Sequence, residues 1–384
     1  MKSTLALLPV LLIMMSVASP ASAHVPLMAG ENDNLSSAMH ISDPGKSWAI
    51  YGTLNRGIVH YYSFDLEEGE RIYLSLFKTA DPKEKNFLPA LLLLGPGLNS
   101  STLLPENLSL PPQASGLKIL ATESKYASPA IYEPFGPSSF REVAEINLSA
   151  PKSARYYAVV YDNSLSNGIT NSEITNSGIA GSSITNAANA ANAANASVAN
   201  GTANAAGHYG LAVGYREEFG FLERITTPVR LISVYIWESQ SLAVIFIPYL
   251  MAEILAILMF WRSSRKTSFS LAGSLAGFLF LASSASVFTQ MVFNLTRAPF
   301  GPEVYITLAI AFLHALLGVV TIRLARGEAG LLQRVLLAVI GTIALLAGSG
   351  LIMGPILALA SSLLPSRSGS IFSRSQGGAQ ENAG

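Results

Sequence analysis

The chain has 384 residues, of which 50% are hydrophobic and only 12% carry a charge, about half the charged share of soluble globular proteins. The formal net charge is zero, so there is no basic field to attract nucleic acid, and no nucleic-acid partner is expected. Cysteine is absent, which excludes disulfides, thiolate metal sites and a cysteine nucleophile.

Residues 1–23 have the three parts of a secretory signal peptide. Lys2 gives a positive start, a mostly apolar run extends from Leu5 to Val17, and small residues stand just before His24. The apolar run is shorter than the roughly 20 residues that span a bilayer. We expect cleavage after Ala23, and the alternative is an uncleaved anchor.

Residues 24–226 are predicted to form an all-β domain, because short alternating segments recur between Gly, Pro and Asn turns. Segments 60–66 and 71–76 flank a turn that contains Gly69, which predicts a β-hairpin. The apolar run Leu91–Leu94 predicts a strand buried on both faces. The stretch 163–206 is rich in Asn, Ala and Ser and lacks aromatic residues, so we expect a disordered insertion.

Four segments of this region share a family pattern of glycine turns and aromatic strands. They are Tyr51-Gly52-Thr53-Leu54, the run 61–72, the Tyr-Tyr strand 154–159 and the closing Tyr-Gly strand 208–213. Together they resemble the bacterial pre-peptidase C-terminal (PPC-like) domain, over roughly residues 45–215. The resemblance implies a jelly-roll-like sandwich that serves as a secretion, adhesion or glycan-facing accessory. No peptidase precedes the domain here, and the stretch 126–145 has no counterpart in the pattern.

A four-helix transmembrane domain is predicted at 227–364, followed by a disordered tail at 365–384. The four apolar runs are each long enough to cross a bilayer, at 242–261, 269–292, 304–322 and 335–359. The preceding segment 227–240 is expected to be an interfacial helix or an extension of the first span.

The arginine-rich loops 262–266 and 323–334 predict the orientation, because positive loops stay inside. The chain is therefore expected to be a multi-pass protein of the cell membrane, in contact with membrane lipid. Its β domain would be extracellular and its C-terminal tail, with Arg367 and Arg374, outside as well.

Seven glycosylation sequons fall on the predicted outer side. Asn294 carries most of the weight, because it lies in the short connection between the second and third spans. The acceptor candidates are Asn34, Asn99, Asn107, Asn147, Asn195, Asn200 and Asn294.

A mature N-terminal His24 offers an amine and an imidazole to a copper ion. His40, His60 or His208 would supply a further ligand. The alternative is that His24 merely begins a flexible arm. The acidic turn 65–70 is interpreted as a solvated turn rather than a calcium site, because its carboxylates lack an ordered spacing.

Glu253 in the first span and His314 in the third are ionisable groups at membrane depth. Such groups are costly there and usually pair inside the bundle. The functional hypothesis is a proton- or ion-handling pair, or a cofactor ligand. The alternative is a structural hydrogen bond between helices.

No nucleophile elbow, P-loop or His-Glu-x-x-His motif is present, so the chain is predicted not to be an enzyme, and no cofactor is assigned. The first hypothesis is a membrane-anchored extracellular binding or cell-envelope interaction protein. It would bind an envelope glycan, another membrane protein or a small ligand through Tyr132 and Phe135. The alternative is a transporter or copper-handling protein with the sandwich as its capture domain. A polar path through the bundle would favour that alternative, and dry packing would favour an anchor.

Overall fold

The computed structural model describes residues 24–55, 57–99, 117–121, 125, 128–163, 205–262 and 267–365. The predicted signal peptide, nearly all of the insertion and the tail beyond Pro365 therefore lie outside the described residues. So do the sequons at Asn107, Asn195 and Asn200.

The N-terminal region consists of β-strands in two sheets. A six-stranded sheet has the order β1-β3-β11-β5-β9-β8, and a five-stranded sheet has the order β2-β4-β10-β6-β7. The pairs β1–β3 and β2–β4 are parallel, and the other pairs are antiparallel. The strands are β1 (Val25–Met28), β2 (Met39–His40), β3 (Trp48–Asn55), β4 (Val59–Leu66), β5 (Arg71–Thr79), β6 (Pro89–Gly95), β7 (Lys118–Ala121), β8 (Ile131–Glu133), β9 (Ser138–Ser149), β10 (Ala154–Asp162) and β11 (Ala205–Val213).

The two sheets face each other across one apolar core. Alternate residues of a strand point to the same face, so every second residue enters this core. Ile50 and Leu74 of the six-stranded sheet meet Tyr62, Phe64 and Tyr156 of the five-stranded sheet there. All five side chains are fully buried.

The hairpin predicted from segments 60–66 and 71–76 is wrong. Strand β4 pairs with β2 and β10, whereas β5 pairs with β9 and β11, so the turn between them joins the two sheets. Gly69 makes this turn with a φ of 88°. Both strands point apolar residues into the same core. The alternation therefore predicts which side faces inward but not which strand is the partner.

The prediction for Leu91–Leu94 is confirmed. These residues belong to β6, in which every residue is buried. Leu91 and Leu93 face the core between the sheets, and Leu92 and Leu94 belong to a second apolar cluster on the opposite face. A continuous apolar run is what a strand covered on both faces requires.

Helices follow the β region, and three of them, α2 to α4, are long and apolar enough to cross a membrane. A turn at 238–241 separates α1 from α2, so the segment before the first span is a helix of its own. The helices are α1 (Phe221–Trp237), α2 (Leu242–Arg262), α3 (Ser268–Leu295), α4 (Val304–Arg326), α5 (Leu331–Leu346) and α6 (Met353–Leu363).

Glycines bring α3 and α4 into backbone contact. A Cβ added to Gly277 would lie 2.9 Å from the Gly318 carbonyl oxygen, and one added to Gly318 would lie 2.8 Å from the Gly277 carbonyl oxygen. Small residues permit such contacts in membrane bundles. The end of α3 at Asn294 contacts the β region and is called the proximal end of the bundle. The end at Ser268 is called the distal end.

The fourth predicted span, 335–359, is not one helix. Helix α5 begins at the distal end, the chain turns at 347–352, and α6 returns antiparallel to the distal end. There Arg334 donates a hydrogen bond to the Ser362 carbonyl at 2.8 Å, and the Ser361 hydroxyl donates to the Phe269 carbonyl at 2.9 Å. The two helices form a re-entrant hairpin.

The turn explains why hydropathy alone predicts a full span. Gly348, Gly350 and Leu351 have φ values of 68°, 73° and 55°, and glycine adopts this left-handed conformation without strain. These turn residues are as apolar as a helix interior, so a sliding window averages across them. The tip of the hairpin contacts Ser283, about 22 Å along α3 from Ser268 at about 1.5 Å per residue.

The hairpin changes the expected position of the C-terminus. Leu363 and Pro365 lie at the distal end of the bundle, near Arg334. A full fourth span would have placed them at the proximal end, beside the β region. The side of the membrane expected for the tail stays a prediction, because residues 366–384 lie outside the described part of the chain.

Single cysteines test this topology without background, because the chain has none. Leu331→Cys and Leu363→Cys are expected to react with an impermeant maleimide from the same face of sealed vesicles. Phe300→Cys is expected to react from the opposite face. All three side chains are exposed. Labelling of Leu363→Cys together with Phe300→Cys would contradict the hairpin.

Candidate functional site

A cleft of about 300 Å³ lies on the outer face of the six-stranded sheet, beside α1. Its floor consists of outward-facing residues of β3, β5 and β9, whose chain neighbours point into the core. Thr227 and Leu231 of α1 form one wall. Phe135 and Gly136, which follow β8, form another.

The floor of the cleft is aromatic. Tyr51 packs edge-on against Phe77 with ring centroids 5.8 Å apart, and Phe77 packs against Phe140 at 4.9 Å. Trp237 stands at the end of this cluster, 5.0 Å from Tyr51. Tyr73 also lines the cleft. Phe77 is buried at the centre of this cluster, whereas Tyr51 and Phe140 are partly exposed.

Helix α1 is fixed to the sheet at both ends. Trp237 is buried, and its Nε1 donates to the carbonyl oxygens of Gly52 and Tyr209, each at 3.1 Å. At the other end Lys46 forms an ion pair with Glu223 at 2.6 Å. The wall of the cleft is therefore held in place independently of any ligand.

Glu133 is a carboxyl group of the cleft whose pKa is raised by its surroundings. It is at the end of β8 and accepts a hydrogen bond from the Phe135 amide at 3.1 Å. Burial raises the pKa of Glu133 to about 7, and the nearby charge of Glu217 acts in the same direction. A carboxyl group with this pKa is ionised in about half of the molecules at neutral pH.

His24 and Glu142 complete the polar lining. The imidazole Nδ1 of His24 is hydrogen-bonded to the Ser47 hydroxyl at 2.5 Å, and burial lowers the pKa of His24, so the ring is neutral at neutral pH. Among the described residues that line the cleft, none is lysine or arginine. Any ionised side chain of the cleft at neutral pH is thus a carboxylate.

Of the two residues predicted to bind a ligand, Phe135 lines the cleft and Tyr132 does not. Tyr132 is buried, and its hydroxyl is hydrogen-bonded to Thr307 of α4 at 2.8 Å. Thr307 in turn donates to the Pro134 carbonyl at 2.8 Å. Tyr132 therefore joins the β region to the bundle, and its prediction as a ligand contact is corrected.

Asn294 also belongs to this junction, which overturns its prediction as a glycan acceptor. The side chain is fully buried, and its Nδ2 donates to the carbonyl oxygens of Pro137 at 2.9 Å and Gln290 at 3.0 Å. Its Oδ1 accepts from the Ser139 hydroxyl at 2.8 Å. A glycan requires Nδ2 in solvent. Among the other described sequons, Asn34, Asn99 and Asn147 are exposed.

Glu238 occupies the centre of the junction, between α1 and α2. Its Oε1 accepts from the Ser139 amide at 2.8 Å, and its Oε2 accepts from Gln240 Nε2 at 3.1 Å. Arg297 donates to the Glu238 carbonyl at 3.1 Å and pairs with Asp81 at 3.4 Å. Burial raises the pKa of Glu238 to about 7.

The proposed copper ligands are not brought together. His40 faces Ser63, His60 is bonded to Tyr209, and His208 is bonded to Glu84. Among the described residues no group of three or more His, Asp or Glu side chains has the arrangement of a metal site. A site made by the His24 amine and imidazole with one further histidine has only two residues, so the copper hypothesis stays a prediction.

Glu253 and His314 do not pair. His314 of α4 is buried, and its Nε2 faces the Ala347 carbonyl of the hairpin at 3.3 Å. Glu253 of α2 is half-buried, and its Oε1 has no hydrogen-bond partner among the described residues. The two groups belong to different surroundings.

A comparison of the chain with protein-family models gives no match, and a comparison with curated protein sequences gives none either. The resemblance to the PPC-like domain thus stays a prediction.

Sequence reasoning missed the aromatic floor, although a signal was present. In β3 and β5 the residues that alternate with the core positions are themselves apolar, as at Ala49, Tyr51 and Phe77. A strand that is apolar on both faces is covered on both faces. That pattern indicates that something packs on the outside of this sheet.

Replacement of Trp237 with alanine is expected to destabilise the β region by about 3–5 kcal/mol, because it removes a buried indole and leaves two carbonyl groups without their donor. The matched control is Trp261→Ala, since Trp261 is 69% exposed. Thermal unfolding of the full-length protein measures the difference. Equal unfolding midpoints for the two variants would contradict the role given to Trp237.

Glu238 makes the junction sensitive to pH. Its pKa is about 7 in the folded chain against 4.5 for an ordinary glutamate, so the folded state holds the proton more tightly. The resulting stabilisation is complete below about pH 4.5 and is lost as the pH rises through about 7. Glu238→Gln is expected to flatten the decline of the unfolding midpoint between pH 5 and 8. The exposed control Glu68→Gln should keep the wild-type slope. Parallel slopes for all three proteins would exclude this effect.

Proposed function

We propose that the chain is a membrane-anchored extracellular binding protein whose cleft beside α1 binds a small organic cation. The observation that carries the proposal is the combination of an aromatic floor with the carboxyl groups of Glu133 and Glu142. This combination develops the expectation that Phe135 contacts a ligand.

The chemistry of the lining selects the ligand class. An ammonium group is attracted to the faces of aromatic rings, and the attraction is strongest where water is excluded. The carboxylate of Glu133 supplies a full negative charge next to those rings. The volume of the cleft, about 300 Å³, suits a compact ligand. An anion would be repelled by the carboxylates of Glu133 and Glu142 there.

The charge distribution supports the proposed orientation. Arg262, Arg323, Arg326 and Arg334 all lie at the distal end, and positive charge favours the cytoplasmic side. The β domain at the proximal end would then be extracellular, after removal of the predicted signal peptide. We further propose that the two sheets are a jelly-roll-like sandwich of the PPC-like kind, which the presence of strands at the predicted Tyr-Tyr and Tyr-Gly segments, β10 and β11, supports.

The cleft wall has a direct connection to the membrane bundle. Pro228 of α1 packs against the tip of the re-entrant hairpin, where a Cβ on Gly348 would lie 2.7 Å from the Pro228 Cγ. Leu231, which lines the cleft, is only three residues further along α1. A ligand that shifts α1 therefore presses on the hairpin, which gives the bundle a role beyond anchoring.

Choline and its uncharged isostere 3,3-dimethylbutanol test the proposal by calorimetry on the full-length protein. Choline is expected to bind and the alcohol is not. Choline keeps its charge at every pH, so its affinity should be about tenfold lower at pH 6 than at pH 8, as Glu133 becomes protonated.

The variant Glu133→Gln is expected to weaken choline binding at pH 8 by the same factor and to remove the pH dependence. Glu68→Gln, which changes an exposed carboxylate away from the cleft, should leave both unchanged. Equal affinity for choline and the alcohol, or unchanged choline binding by Glu133→Gln, would refute an organic cation as the ligand.

A further inference from the structure

Polar side chains line one face of α3 inside the bundle. Ser283, Ser286, Gln290 and Asn294 are spaced three or four residues apart, and all four are buried. This spacing places them in one row along the helix. The row extends from the junction with the β region to the tip of the re-entrant hairpin.

Four polar atoms along this row have no hydrogen-bond partner among the described residues. They are Gln240 Oε1, Gln290 Nε2, His314 Nδ1 and Ser349 Oγ, and each side chain is at most 7% exposed. A buried polar atom without a partner destabilises the folded state, because it has lost its hydrogen bond to water and gained none in return. Folded proteins normally satisfy such atoms with protein groups or ordered water. The cost therefore points to water as their partner.

Hydrogen bonds connect most of the row. At the proximal end, Gln240 Nε2 donates to Glu238 at 3.1 Å and to Gln290 at 2.7 Å. Deeper in the bundle, the Tyr249 hydroxyl lies 3.4 Å from the Ser283 hydroxyl and also faces Ser286. Ser286 is about one helical turn from Gln290, which is the distance that one water molecule bridges.

His314 lies at the deep end of the row with a free lone pair. A carbonyl oxygen only accepts hydrogen bonds, so the Nε2 that faces Ala347 carries the ring proton. Nδ1 is then the unprotonated nitrogen, and it has no partner among the described residues. The backbone of Ser283 also has a hydrogen-bonding interaction with this ring. With the Nε2 proton directed at Ala347, Nδ1 is the ring nitrogen that can accept a further proton.

The row is closed beyond His314 on the distal side. Gly277 and Gly318 bring the backbones of α3 and α4 into contact one turn further on, with no room for a side chain between them. A water chain does not fit between backbones at that distance. Access to His314 is thus from the proximal end.

We propose that this row of residues is a hydrated proton path that begins at the buried Glu238 and ends at His314, and that water enters it through the junction with the β region and not from the distal end. A proton from water at the junction binds the Glu238 carboxylate. It moves inward by hops along water molecules and the Ser286, Tyr249 and Ser283 hydroxyls, in which each oxygen gains one proton and releases another, while the amides of Gln240 and Gln290 hold the water by hydrogen bonds. The last proton forms an N–H bond at Nδ1 and gives an imidazolium, with no transfer of electrons.

Charged and polar groups surround each end of the path. Arg297 lies beside Glu238 and is itself paired with Asp81, and the charge of Glu238 reaches Tyr51 and Tyr235. At His314, α3 contributes the backbone of Ser283, and the hairpin contributes the Ala347 carbonyl. The path lies outside the ligand cleft, so the proposal of a proton path and the proposal of cation binding can be tested independently of each other.

Exchange of the imidazole C2 proton for deuterium, followed by mass spectrometry, tests water access to His314 in the full-length protein in nanodiscs. His314 is expected to exchange in the wild type. Gln290→Leu should slow this exchange at least about tenfold, because it removes the bridging amide. The control Thr289→Leu alters the adjacent, outward-facing residue of α3 and should not slow it. No exchange in the wild type, or equal exchange in Gln290→Leu, would overturn the path.

Single cysteines provide a second readout that does not depend on Gln290. Silver ion applied from the proximal side is expected to bind the thiol of Ser286→Cys, so that this thiol no longer reacts with a maleimide after unfolding. The thiol of Ser274→Cys is expected to stay reactive. Both serines are buried on α3, but Ser274 lies beyond the contact of Gly277 with Gly318. Failure to block Ser286→Cys would exclude the path. Block of both cysteines would exclude closure at the glycines.

Discussion

Trp237 lies against the outer face of the six-stranded sheet, and its position determines how the β region and the helices are arranged. That face carries Tyr51, Phe77 and Phe140. Exposure of these side chains to water would cost free energy in proportion to their apolar area. Because Trp237 is the last residue of α1, its anchoring sets where α2 begins. The next residue, Glu238, then reaches Ser139, and the bundle becomes fixed to the sheet.

One helix consequently contacts three parts of the molecule. The side of α1 that carries Leu231 borders the cleft, Pro228 touches the hairpin at Gly348, and Trp237 covers the sheet. Packed elements of this kind move as rigid units rather than bend. Helix α1 is therefore the direct structural connection between the cleft and the bundle.

The sequence predicted local features well and long-range ones poorly, for a physical reason. The run Leu91–Leu94 reports its own burial, and the apolar runs of α2 to α4 report their length. Strand partners depend on the whole topology, so the hairpin around Gly69 was wrong. The re-entrant turn at Gly348 has the hydropathy of a span. The cleft combines three strands with α1, and of its lining only Phe135, as a ligand contact, and His24, as a metal ligand, were anticipated.

The re-entrant hairpin explains only some of the polar side chains in the row along α3. A turn inside a bundle leaves backbone groups that apolar surroundings cannot satisfy. Ser283 meets this need by accepting from the Gly350 amide at 2.7 Å, and His314 does so for the Ala347 carbonyl. Capping explains these two bonds, but it does not explain Gln290 or the free Nδ1 of His314. An apolar residue at position 290 would support the turn equally well. The polar atoms beyond those that the turn requires are therefore the part of the bundle that calls for a function, and their position between Glu238 and His314 defines it as contact with water.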